Sequence, residues 1–121
     1  LQRMTFHHIG IPTSEQLPDS DYNEALKFHA SGYFESPYAI EWMHFDDDNT
    51  LPDIIKRVPH VAFVVDDLEA AIEGKNIVLA PESPCDGVTV AFILDGRNLI
   101  ELMHFDKPEQ DVWPHPDKFM I

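Results

Sequence analysis

Residues 58–65 (Val-Pro-His-Val-Ala-Phe-Val-Val) are apolar and β-branched apart from His60, which predicts a buried strand entered through Pro59, where a missing ladder donor costs least. Asp66 then stands as a helix cap, Glu69 three residues on completes a capping-box spacing, and Leu68, Ala71 and Ile72 form one apolar helical face. Gly74 supplies the stop. Apolar runs follow at 76–79, 88–94 and 98–105, separated by Pro81, Pro84, Gly87 and an Asp95-Gly96 hairpin signal. The order is strand, helix, strand, strand, strand.

The first half of the chain repeats this order in shorter form. Residues 5–11 are the opening strand, Asp21 and Glu24 repeat the capping spacing, Tyr22, Ala25, Leu26 and His29 fall on one helical face, and Gly32 breaks the pattern. The closing strands are near copies: residues 40–46 read Ile-Glu-Trp-Met-His-Phe-Asp and residues 100–106 read Ile-Glu-Leu-Met-His-Phe-Asp, with six of seven positions identical. Glu69 and Glu101 lie 32 residues apart, whereas Glu24 and Glu41 lie 17 apart, so the first unit is expected to lack about one strand. Residues 33–36 are read as its one intermediate strand, because Glu35-Ser36-Pro37 echoes Glu82-Ser83-Pro84. The acidic stretch 46–49 and the Pro52 region read as a solvated linker, and the Pro-rich tail as irregular but anchored by Trp113. The expected architecture is α+β: two βαβββ-type modules, about 5–48 and 57–106, with a tail at 107–121, sharing one core in a single domain over 1–121.

Charge narrows the partners. The formal net charge of -14, from 22 acidic and 8 basic residues, repels a phosphate backbone or an anionic leaflet, so neither nucleic acid nor a membrane surface is expected to bind. No apolar stretch reaches the roughly 20 residues of a membrane span and no signal-peptide pattern is seen, from which a cytoplasmic location is expected. The single Cys85 excludes an internal disulfide.

Strand alternation places Glu101 on one face with Leu99 and Met103, and Glu41 with Met43, while His44 and His104 point the other way. On the opening strands His8 points with Gly10, and His60 with Ala62 and Val64. An ionised carboxylate on an apolar strand costs several kcal/mol unless a cation or donors satisfy it. His8, Glu41, His60 and Glu101 together form a ligand set for a divalent Zn, Ni, Mn or Fe ion, with positions left for substrate oxygens. The plainer alternative is a salt bridge or exposed edge for each glutamate and a hydrogen-bonded structural role for each histidine. His29, His44, His104 and His115 show no joint site, and Arg97 reads as a residue of the hairpin turn.

The His-Ile-Gly-Ile opening at His8, the Pro-His-Val-Ala-Phe-Val-Val-Asp-Asp-Leu run from Pro59 and the Asp-Gly-Arg-Asn-Leu-Ile-Glu-Leu run from Asp95 resemble the vicinal oxygen chelate superfamily, which includes glyoxalase I, fosfomycin-resistance proteins, methylmalonyl-CoA epimerase, extradiol dioxygenases and bleomycin-binding proteins. The resemblance implies paired βαβββ modules around a metal, with one ligand from the opening and one from the closing strand of each. By position His8, Glu41, His60 and Glu101 match the two-His, two-Glu pattern of glyoxalase I, with His8 preferred to His7 because it precedes the Ile-Gly step. The resulting expectation is a metal-dependent lyase or isomerase working through an enediolate on a small substrate with adjacent oxygens, with Glu101 or Glu41 as the base. A non-catalytic sequestering protein of bleomycin-resistance type and an extradiol-type dioxygenase are the alternatives. Pairing of two copies as a homodimer is also implied.

Overall fold

The computed structural model, which describes residues 2–113, resolves the repeat into one eight-stranded sheet. The elements are β1 (Met4–Pro12), β2 (Asp21–Asn23), β3 (Phe28–Ser31), β4 (Ile40–Phe45), α1 (Asp53–Arg57), β5 (His60–Val65), α2 (Leu68–Ile72), β6 (Ile77–Cys85), β7 (Val88–Asp95), β8 (Asn98–Phe105) and α3 (Glu109–Val112). The strand order β2-β3-β4-β1-β5-β8-β7-β6 is the same in each half when read outward from the middle. Each opening strand runs parallel to its own closing strand, β1 with β4 and β5 with β8, and the two opening strands meet antiparallel at the centre. The edges also approach each other, since the Asn23 amide on β2 donates to the Pro84 carbonyl on β6 at 3.1 Å. A curled α+β sheet of paired modules is therefore what the chain forms, as its repeat implies.

The first module is shortened differently from the expectation. It keeps four strands and lacks the helix. Residues 24–27 are a single tight turn closing the β2–β3 hairpin, with Lys27 left-handed at φ 56° and the Asn23 side chain accepting from the Leu26 N–H at 2.8 Å. One turn of hairpin loop has the same local spacing as one turn of helix, and pairing of β3 with β4, including a Phe28–Phe45 ring contact at 5.8 Å, decides between them. Residues 33–36 form a turn and no strand, so their echo of 82–84 carries no structural meaning. The presumed linker contains α1, whose Ile55 is fully buried against Phe92 and Leu99. Asn49, also buried, donates to the Leu26 and Lys27 carbonyls and so ties this segment to the hairpin.

The second module follows its pattern closely. The cap of α2 is Asp67, whose carboxylate accepts the Ala70 N–H at 3.1 Å, while the Asp66 N–H donates to Gln2. β6 continues through Pro81 and Pro84, because it lies at the sheet edge and takes register shifts against β7. Alternation divides the core. Ala91, Ile93 and Leu102 face outward under Leu68 and Ile72 of α2, while Val88, Val90, Phe92 and Met103 face into the curl. With no helix over the first module among the described residues, Phe6 and Trp42 are 50% and 43% exposed on its outer face. The tail begins with the short helix α3, and Trp113 packs on Phe105 at 5.4 Å, the anchoring expected of it. His115 and the rest of the tail lie outside the described residues.

Candidate metal centre

The register of the four central strands builds the site. Gly10 pairs with Glu41 on one side and His60 on the other; Ala62 pairs with Glu101 on one side and His8 on the other. Two adjacent rows result, Glu41–Gly10–His60 and His8–Ala62–Glu101, each with the smallest available residue between imidazole and acid. Strand spacing puts the outer members of a row about 10 Å apart at the backbone, so only inward-reaching side chains over a small middle residue can meet. His60 lies flat over Gly10, where a Cβ would collide with its Cε1 and Nε2.

His8, His60 and Glu101 are buried, at 4%, 1% and 8% exposure. The Nε2 atoms of His8 and His60 lie 3.2 and 3.1 Å from Oε1 of Glu101, yet neither is aligned for a hydrogen bond, and among the described residues His8 Nε2 and both ring nitrogens of His60 have no hydrogen-bond partner. Orphaned buried polar atoms of this kind cost about 1–3 kcal/mol each. A cation between them would use their lone pairs, and ligands about 2.0–2.2 Å from a common ion stand about 3–3.5 Å from one another. The ligand atoms of His8, His60 and Glu101 all lie within 4.8 Å of each other, so this buried group can hold a metal ion. Glu41 stands at its edge, with Oε1 3.9 Å from His8 Nε2 and outside that mutual group.

His7 was missed by alternation, which points it away from His8. The register shift between Phe6 and His8 is a bulge, and it lets consecutive histidines serve one site. His7 Nδ1 lies 2.6 Å from His8 Nδ1, and His7 Nε2 lies 2.9 Å from Glu109 Oε1 on α3. Tyr33, from the turn misread as a strand, donates its hydroxyl to Glu109 Oε2 at 2.9 Å and stacks on His7 at 4.8 Å. These bonds select tautomers. With neutral rings His7 donates from Nε2 to the carboxylate, so its Nδ1 is the acceptor; His8 then donates from Nδ1 and turns an Nε2 lone pair into the site. The adjacent His7-His8 pair was the only signal in the sequence, and nothing there linked it to Glu109 or Tyr33.

Electrostatics separates the two glutamates. Burial opposes ionisation of Glu101, but the His60 and His8 contacts outweigh it and hold its carboxyl well below the usual range. Burial pushes the Glu41 carboxyl up, and the Glu101 charge adds to this against the histidines. For His8, burial acts to lower the pKa, yet Glu101 and the fields of Glu41 and Glu109 prevail and raise it above 6.5. His44 and His104 repeat a structural contact, with their Nδ1 atoms 3.2 Å from the carbonyls of Thr13 and Val65. His8, Glu41 and Glu101 line a cavity of about 410 Å³, within the range of small-molecule pockets.

Three outcomes follow from this arrangement. Gly10→Ala will displace His60 and lower zinc affinity at least tenfold in a chelator competition, with the circular dichroism of the sheet retained; undiminished affinity would refute the packing argument. His7→Phe keeps the stack on Tyr33 but removes the acceptor for His8, and is expected to weaken zinc binding about 10- to 100-fold. Because His8 holds its proton above pH 6.5 and must lose it to coordinate, calorimetric zinc affinity will start to fall above pH 6.5 as pH is lowered from 8; constant affinity to pH 5 would contradict imidazole ligation.

No protein-family model matches the sequence, and no curated protein matches it. Among solved structures, the crystal structure of methylmalonyl-CoA epimerase from Mycobacterium tuberculosis matches with a TM-score of 0.59 and 20% identity, over 88% of this chain and 91% of that one. With its eight-stranded curled sheet of two like halves, the chain has the fold of the vicinal oxygen chelate proteins.

Proposed function

We propose that this protein is a metal-dependent enzyme of isomerase or lyase type that moves a proton on a small molecule with two neighbouring oxygens. The observation that carries the reading is the set of buried imidazole nitrogens, unpartnered among the described residues, that converge on Glu101, which with His8 lines the cavity. His8, His60 and Glu101 would hold a divalent Zn, Ni, Mn or Fe ion, and such an ion supplies Lewis-acid polarisation of the neighbouring oxygens. The chain's own contribution is the base. Glu41 retains 22% side-chain exposure against 11% for Glu101, lines the cavity and lies outside the tight ligand group, so it is free to take a proton from the carbon beside those oxygens. Met43, Val90, Phe92 and Met103 share the lining and give the base a largely apolar setting. An epimerase, the activity named for the similar solved structure, is one enzyme of this general type.

The test is deuterium uptake from D2O beside the carbonyl of acetoin and 2-hydroxyacetophenone, followed by proton NMR with zinc-, nickel- and manganese-loaded protein. Glu41→Gln is expected to slow uptake about 10²- to 10⁴-fold with metal content unchanged, whereas Glu101→Gln will lose the metal. Equal rates in wild type and Glu41→Gln would sink the role of Glu41. Uptake no faster than with the free ion, in every loaded form, would sink the enzyme reading.

A further inference from the structure

The outer face of the first module carries two histidines that the chemistry of the cavity does not use. His29 on β3 stands directly across from His44 on β4, and the two rings lie 6.3 Å apart. Alternation turns both away from the cavity, which their neighbours Phe28, Ala30 and Met43 line. Directly opposed strand residues have Cβ atoms about 4.5–5.5 Å apart, close enough for two imidazoles to share one ion. Asp46, two residues beyond His44, adds an acid: its Oδ1 lies 3.8 Å from His29 Nε2, and its Oδ2 accepts the Tyr22 hydroxyl at 2.6 Å. The Nδ1 atoms of both rings have partners of their own. His44 Nδ1 lies 3.2 Å from the Thr13 carbonyl, which can only accept, so this nitrogen holds the proton and Nε2 keeps its lone pair. His29 Nδ1 lies 3.2 Å from Ser20 Oγ, an acceptor for the same tautomer. Lys27, whose charge would compete with a metal ion, is paired with Asp48 at 2.8 Å.

The second module provides an internal comparison. It repeats His-Phe-Asp at 104–106, with His104 Nδ1 3.2 Å from the Val65 carbonyl and Nε2 3.3 Å from Asp106 Oδ1, but the residue across from His104 is Thr89. The contact of histidine with carbonyl therefore belongs to the repeat, whereas His29 and its approach to Asp46 belong to the first module alone. We propose that His29, His44 and Asp46 form a second metal site, on the outer face of β3 and β4, for a borderline divalent cation such as zinc. Water fills the coordination positions that these three ligands leave open. Their ligand atoms do not all stand within 4.8 Å of one another, so His44 must turn to close the set. Its Nδ1 contact, at the long end of the hydrogen-bond range, yields to that rotation. Tyr22 orients the carboxylate of Asp46 from behind. A cation here bridges β3 to β4 and so fixes the β2–β3 hairpin, whose Tyr22, Asn23 and Phe28 line the cavity. The site shares no residue with the group of His8, His60 and Glu101, and it stands whether or not the proposed function holds.

Zinc titration of the full chain, read in long-range proton–nitrogen spectra of the histidine rings, tests it. The ring nitrogens of His29 and His44 should move to zinc-bound shifts with Nδ1 protonated, while those of His104 stay in place. A His29 or His44 ring that does not respond in excess zinc overturns the site. Calorimetry gives a second measurement in a His60→Gln background, which disables the other centre. There His29→Gln and His44→Gln should each weaken zinc binding at least about tenfold, and His104→Gln should change it by less than about twofold. Unchanged affinity on loss of either His29 or His44, or an equal loss in His104→Gln, also overturns the site. Failure of the centre in the cavity reads differently: the His8 and His60 signals stay unmoved while those of His29 and His44 shift.

Discussion

The antiparallel register of β1 against β5 is the constraint on which the rest of this molecule depends. It sets Gly10 opposite His60 and Ala62 opposite His8, and through the parallel pairs β1–β4 and β5–β8 it extends each contact to a glutamate. A slip of one residue would turn every one of these side chains to the outer face, and the apolar inner positions Val90, Phe92 and Met103 resist such a slip by remaining buried only in the observed register. Each row takes its imidazole from one module and its acid from the other, so neither module contains the site by itself.

Burying two imidazoles and a carboxylate with so few hydrogen bonds among them is costly, and the surroundings concentrate that cost at the point where a ligand can relieve it. His8 is oriented from behind by His7, which is oriented by Glu109 and Tyr33. Among the described residues His60 has no such partner at Nδ1; it is held by packing, flat on Gly10 and edge-on to Phe92 at 5.0 Å. One histidine is positioned by hydrogen bonds and the other by shape. The tail segment carrying Glu109 thus belongs to the site as much as the central strands do.

The two modules have diverged in what covers them. In the second, α2 covers the outer face and the sheet is built for burial on both sides. In the first, the chain that could have formed a helix forms the β2–β3 hairpin, whose Tyr22, Asn23 and Phe28 line the cavity. The first module has therefore lost outer cover and retained the inner wall. Its shortening leaves the placement of His8 and Glu41 intact, because β1 and β4, which carry them, stay paired in parallel as β5 and β8 are.

Local sequence determined the strands, the repeat, the Asp95-Gly96 turn and the inward face of His8, Glu41, His60 and Glu101, because alternation and turn chemistry act over a few neighbouring residues. It could not separate a four-residue hairpin loop from a helical turn at 24–27, since both satisfy the same short spacing and only pairing with β4 distinguishes them. Tertiary structure alone decided the bulge that brings His7 behind His8, the arrival of Tyr33 and Glu109 from 26 and 102 residues away, and the 3.9 Å that separates Glu41 Oε1 from His8 Nε2. Those outcomes depend on distances between strands and on one extra residue in a ladder, quantities that no pattern along the chain encodes by itself.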